Sequence, residues 1–216
     1  VQLHPRVGLH LKTVNVSTSA CTVCQPPALE ALVQSEPVLA ALWQALPVRQ
    51  FGAGTLLQHA GKTSTRCWQV RSGVVRLFYL NDQGTERNRS FHGSGQWVAG
   101  SLPPQALPSP YAIEALFPVE AVELPYATLE HWLRTFPHIG APLQQALGYV
   151  FQQHAQREAE LLSHPPEVRY QSFLATHGDL APHLPQHHVA SYLGISPVSL
   201  SRIRSRLGMI EAASGR

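Results

Sequence analysis

The chain has 216 residues, 44% of them hydrophobic and only 13% charged. That supplies apolar material for one large domain or two modest ones and excludes a highly charged disordered chain or a long coiled coil. The net charge of +3 is too small for a polycation, so affinity for nucleic acid must sit in a local cluster.

No window approaches eighteen consecutive apolar residues, and residues 1–20 lack the apolar centre of a secretory signal. Three cysteines, Cys21, Cys24 and Cys67, are too few and too unevenly placed for a disulfide framework. The expectation is a cytoplasmic protein without a membrane partner. Residues 1–27 show no sustained periodicity and read as an arm. From Ala28 to Leu46 the apolar spacing suits short helices, interrupted at Pro37 and Pro47.

Glycines 54, 61, 73, 84 and 95 then punctuate short apolar or alternating runs: Cys67–Val70, Val74–Leu80, Trp97–Ala99, Tyr111–Leu116 and Val119–Leu124. Asn81-Asp82-Gln83-Gly84 is a turn, and Pro103–Pro110, with four prolines, is a loop. Regular short strands of this kind suggest an antiparallel sandwich or jelly roll over residues 28–137.

From Ile139 the period becomes helical. Leu143, Ala146, Leu147, Val150, Phe151, Ala155 and Leu161 share one face, with Gln144, Gln145, Gln152, Gln153 and Arg157 off it. Two accounts fit: a helix packed on its own sheet, or a dimerisation helix over 138–164, about 36 Å long. Pro165-Pro166 stops it, and a compact helical segment fills 165–216.

That segment carries the strongest signal. In residues 186–207 two short amphipathic helices flank Gly194. Ala190, Gly194 and Leu200 have the spacing of a helix-turn-helix: a small residue for close approach, a glycine for positive φ, and an apolar anchor that acts with Val189, Leu193 and Ile203. Ser196-Pro197 reads as an N-cap with proline at the first helical position. Arg202, Arg204 and Arg206 follow, and residues 186–210 contain no acid. Such a helix suits a major groove, with serine or arginine donating to base edges and other arginines gripping phosphates. A surface hairpin with merely solvated arginines is the plain alternative.

The order of elements, with Val70-Arg71-Ser72-Gly73-Val74-Val75-Arg76-Leu77, Gly84-Thr85-Glu86, Gly95-Gln96-Trp97-Val98, Glu167–Tyr170 and Val189–Leu207, resembles the Crp/Fnr superfamily of bacterial transcription regulators. The resemblance covers about residues 28–210. It implies an α+β fold: an N-terminal antiparallel, jelly-roll-like β-roll of the cyclic-nucleotide-binding type, a long dimerisation helix, and a C-terminal winged helix-turn-helix domain. It implies a homodimer on double-stranded DNA at a palindromic operator, and RNA polymerase as a further partner if the protein is an activator. Ser196 and Ser199 match phosphate-contacting positions, and His187 sits at another. Arg202 matches a base-reading arginine. Val198 replaces a family Glu and could touch a thymine methyl, so the operator should differ from the usual half-site. The tail after Leu207 is short, so the wing is expected to be reduced or absent.

Cyclic-nucleotide binders of the family carry Gly-Glu and Arg-Ser where this chain has Ala99-Gly100 and approximately Ser109-Pro110. Without that carboxylate and guanidinium, cyclic AMP is not expected as the effector, whose identity stays open. Cys21-Thr-Val-Cys24 resembles the cysteine-bearing arm of oxygen-sensing members. An iron–sulfur cluster needs four ligands and the chain has three cysteines. The pair is a redox-active dithiol, part of a mixed site with Cys67 and a histidine, or ordinary arm residues. Among twelve histidines, His187 and His188 lie beside the DNA-facing helix, while His59, His92 and His154 lie elsewhere. No His-x-His, HExxH or paired CxxC supports haem or metal. With no Gly-x-Ser-x-Gly elbow or dinucleotide loop either, an enzyme is not expected. The rival function is a ligand- or protein-binding roll without specific DNA binding.

Overall fold

A computed structural model describes residues 36–208. Cys21, Cys24, the arm and the tail where a wing would lie fall outside the described residues. Helix α1 (Pro37–Gln44) opens the described part. Pro37, expected to interrupt a helix, instead starts one at its first position, where a missing N–H costs nothing.

Eight strands follow: β1 (Val48–Phe51), β2 (Leu56–Gln58), β3 (Arg66–Ser72), β4 (Val75–Leu80), β5 (Glu86–His92), β6 (Trp97–Ala99), β7 (Ala112–Ala115) and β8 (Val119–Pro125). They form two four-stranded antiparallel sheets, ordered β1-β8-β3-β6 and β2-β7-β4-β5. This is the jelly-roll-like architecture the sequence led one to expect. The β4–β5 hairpin closes at the expected turn, where Asn81 Oδ1 accepts from the Gln83 and Thr85 N–H groups and Gly84 takes φ 75°.

Between the sheets lie Trp68, Val70 and Ala121 from the first, and Val75, Leu77 and Ile113 from the second. The opposite face of the first sheet is also covered. Cys67, Val122 and Leu124 pack against α1 and against α2 (Tyr126–Thr135), through Leu39, Leu129 and Trp132. Because both faces are covered, burial is continuous over Cys67–Val70 of β3 and Ala121–Leu124 of β8, Gln69 and Glu123 included.

A 3₁₀ turn (Pro137–Ile139) leads into α3 (Gly140–Ser163), 24 residues long. No α3 residue is fully buried. Leu143 packs on the roll, but Val150, Phe151, Leu161 and Leu162 are exposed, Phe151 by 72% and Leu162 by 81%. Helices α4 (Pro166–Thr176), α5 (Gln186–Leu193) and α6 (Pro197–Arg206) complete the chain. Tyr170, Phe173, Leu184, Val189, Leu193 and Leu200 form their core, which also takes in Val74 and Phe91 of the roll. No helix among the described residues is long and apolar enough to cross a membrane.

Candidate nucleic-acid interface

The turn between α5 and α6 forms as its residue types require. Gly194 sits at φ 69° and the Ile195 N–H closes back on the Ala190 carbonyl at 3.0 Å. Ala190 is fully buried at the helix crossing, where a larger side chain would hold α5 and α6 apart. Ser196 caps α6: its Oγ accepts from the Ser199 N–H at 3.1 Å and lies 2.9 Å from the Ser199 hydroxyl. Leu200 and Ile203 anchor the inner face of α6, 1% and 2% exposed.

The outer face carries the residues singled out in the sequence. Ser196, Val198, Arg202 and Arg206 are exposed, Ser199 and Arg204 partly so, and His187 is exposed at the start of α5. Arg202 makes no ion pair among the described residues. The arginines differ more than their spacing suggested. Arg206 pairs with Glu167 of α4 at 2.9 Å, and Arg204 Nε is buried without a hydrogen-bond partner among the described residues. Among the described residues neither Arg202 nor Arg204 makes an ion pair, Arg202 being the more exposed of the two, and Arg206 must leave a carboxylate before it can meet a phosphate.

Arg157 also departs from expectation. The sequence reading sets it off the apolar face of the long helix. Instead it turns to the helical domain, donates to the Tyr192 carbonyl and lies 3.8 Å above the Tyr192 ring. Arg157 stands one turn before Leu161 and two turns after Val150, so it shares the side of α3 that the apolar spacing marks out.

In the roll, the two positions compared above with those of the cyclic-nucleotide binders do come together. A Cβ on Gly100 would stand 3.0 Å from Ser109 Oγ and 2.9 Å from Gln58 Cγ. Neither position carries a carboxylate or guanidinium, although Arg89 lies 4.4 Å above the ring of Tyr111, whose hydroxyl donates to the Ala99 carbonyl. Ser64 and Ser109 are buried, the Gly100 N–H donates to Ser64 Oγ, and Ser109 Oγ donates to the Tyr111 carbonyl. Small polar groups satisfy one another where a charged ligand would need charged partners.

Cys67 lies beneath β8 and α2, and burial pushes its thiol up to about 12. As it stands it is neither a thiolate nucleophile nor a ready ligand. His59 is exposed. No group of three metal-ligating residues occurs among the described residues.

Three histidines, His92, His154 and His177, gather where the roll, α3 and the helical domain meet, a fourth, His188, lies between β5 and α5, and all are held neutral. Burial, then Arg89, His177 and His154, lowers His92 to about 3. Burial lowers His177 to about 4 against its bond to the Phe173 carbonyl, with Arg157 lowering it further. Burial and Arg89 lower His154 to about 4. His188 falls to about 4 through burial, Arg76 and His187, with Glu86 opposing. The unfolded chain binds these protons near 6.5, so their stabilising contribution is whole above that pH and shrinks as pH falls toward 4, and toward 3 for His92. Thermal unfolding across pH 7.5 to 4 should show this decline. His177→Phe, which keeps a ring stacked on Phe173 (4.8 Å in the native pair), should flatten it; an unchanged slope would contradict the assignment.

Residues 48–136 match the family model of the cyclic nucleotide-binding domain. No curated protein sequence matches the chain. Among solved structures it is similar to the c-di-GMP-responsive global regulator CLP of Xanthomonas campestris, at 18% identity over 82% of this chain and 94% of that one, with a TM-score of 0.64. FixK2 of Bradyrhizobium japonicum aligns at 18% identity over 80% and 90%, with a TM-score of 0.67. A putative cAMP-binding regulatory protein from Silicibacter pomeroyi aligns at 26% identity over 82% and 83%, with a TM-score of 0.56. The β-roll is a cyclic nucleotide-binding-type domain, and the chain has the fold of the Crp/Fnr regulators.

Proposed function

We propose that the protein is a homodimeric DNA-binding transcription regulator of the Crp/Fnr type. The observation that carries this reading is α6: capped by Ser196, pinned from behind by Leu200 and Ile203, and presenting Val198 and Arg202 outward. Two such helices enter successive major grooves, Arg202 reading a base edge, with Ser196, Ser199, His187, Arg204 and Arg206 near the backbone. The dimer forms along α3, which leaves Val150, Phe151, Leu161 and Leu162 exposed in a single copy. The domain division is arm, roll, dimerisation helix and DNA-binding head.

The signal enters through the roll or the arm and shifts a two-state population toward the DNA-competent form. The neutral lining at Gly100 and Ser109 argues that this signal is not cyclic AMP. Cys21 and Cys24 stay candidates for a redox input, since two thiols three positions apart can be oxidised to a disulfide.

Selection of duplexes from a random-sequence pool, followed by footprinting, tests the reading. It should recover a palindrome with half-sites about 10 bp apart or a multiple of that, bound less tightly as salt rises. A protein that enriches no sequence would leave only a sensor roll without specific DNA binding.

A further inference from the structure

The helical head is fastened to the roll along a second line besides α3, and that line is polar and directional. Helix α5 lies along β5. The Asn88 N–H donates to Ser191 Oγ at 3.0 Å, and Asn88 Nδ2 donates to the His188 carbonyl at 3.0 Å and stands 3.1 Å from His188 Nδ1. Ser191 Oγ donates in turn to the Glu86 carbonyl at 3.3 Å.

Behind Asn88 sits Arg76, only 4% exposed. It is held by Glu114 at 2.5 Å and Glu86 at 2.7 Å. Its Nη1, the nitrogen that meets Glu86, also donates to Asn88 Oδ1 at 3.1 Å. This last bond decides which way the amide faces, because the oxygen is claimed by the guanidinium and the NH₂ must point at α5. A guanidinium buried between a half-buried Glu114 and an exposed Glu86 carries a desolvation penalty and is not an economical way to stabilise a sheet. Here the cluster also fixes the register of a strand against a helix of another domain.

We propose that the β5–α5 seam, keyed by Asn88 and Ser191, is a positioning contact through which the roll sets the place of the DNA-reading head. A change in the roll then reaches α6 across β5 as well as along α3. The inference rests on the regulator reading and concerns how that reading is regulated. Its direction follows from geometry: the seam occupies α5, while Val198 and Arg202 of α6 stay exposed. The clamped arrangement therefore presents the reading face. A head free to swing about His164–Pro166 would have to be ordered by DNA, which weakens specific binding.

The test uses the full chain as wild type, Asn88→Ala, Ser191→Ala and Ser191→Thr. Two readouts are taken: amide hydrogen exchange of β5 and α5 without DNA, and affinity for a duplex selected by the wild-type protein beside a scrambled duplex. Asn88→Ala and Ser191→Ala should speed exchange in α5 and bind the selected duplex on the order of tenfold more weakly. They should bind the scrambled duplex as the wild type does. Ser191→Thr, which keeps the hydroxyl, should stay near wild type. Unchanged exchange, unchanged or tighter binding of the selected duplex, or equal losses on both duplexes would overturn the proposal. Failure of the wild type itself to separate the two duplexes would overturn the regulator reading, and would be seen before any variant is made.

Discussion

Arg202→Ala should lower affinity for the selected operator about 5- to 150-fold, equivalent to about 1–3 kcal/mol, and relax preference at one base pair of each half-site. Arg202 is exposed on α6 and makes no ion pair among the described residues, so its loss leaves the fold intact and the unfolding temperature unchanged. Its guanidinium offers a planar fork that can reach both acceptors on the major-groove edge of a guanine. Arg206 makes the contrast. It is 66% exposed but paired with Glu167, and removing it should affect all duplexes alike and only weakly. Binding measured against every single-base-pair variant of the operator separates the two: a loss at Arg202 that is uniform over all positions would take away its base-reading role.

Phe151→Glu should convert the protein to a monomer in sedimentation and reduce operator affinity by about a hundredfold or more, since the second half-site is then no longer bound at high effective concentration. Phe151 and Leu162, 72% and 81% exposed, are eleven residues apart, about three helical turns, and so fall within roughly 20° of one another on α3. An apolar stripe of that kind is left bare in one copy and closes against its twin. Two glutamates facing each other across the seam would repel, while glutamate in an exposed helix position is well tolerated. A variant that remains dimeric would show that the subunits meet elsewhere.

Much of the fold was legible in the sequence because its signals were local. The Asn81–Gly84 turn, the Pro103–Pro110 loop, the double proline after α3 and the Ser196-Pro197 cap all act within a few residues of where they are written. Strands β1, β2 and β5 were harder to read. The first two are four and three residues long, and β5, Glu86–His92, is mostly polar because its outer face meets another domain rather than a core. Helix α2 also escaped notice, since Tyr126, Leu129 and Trp132 had been absorbed into the end of the roll.

The candidate interface divides in the same way. Spacing alone placed Ala190, Gly194, Ser196 and Leu200, and with them the exposure of Arg202. No local pattern could say that Arg206 would find Glu167, that Arg157 would turn inward to Tyr192, or that Asn88 would meet Ser191 across 103 positions of chain. An arginine amid the apolar run Val74–Leu80 was the one hint of the buried Arg76 cluster.

The sequence by itself determined the kinds of element, their order and the helix-turn-helix, because caps, turn glycines and apolar periods are properties of neighbouring residues. Only the tertiary structure decided which charges are free and which are spent, and how the head is fastened to the roll. Ion pairs and hydrogen bonds between distant segments depend on where the backbone brings their partners, and that is set by the packing of all three cores together.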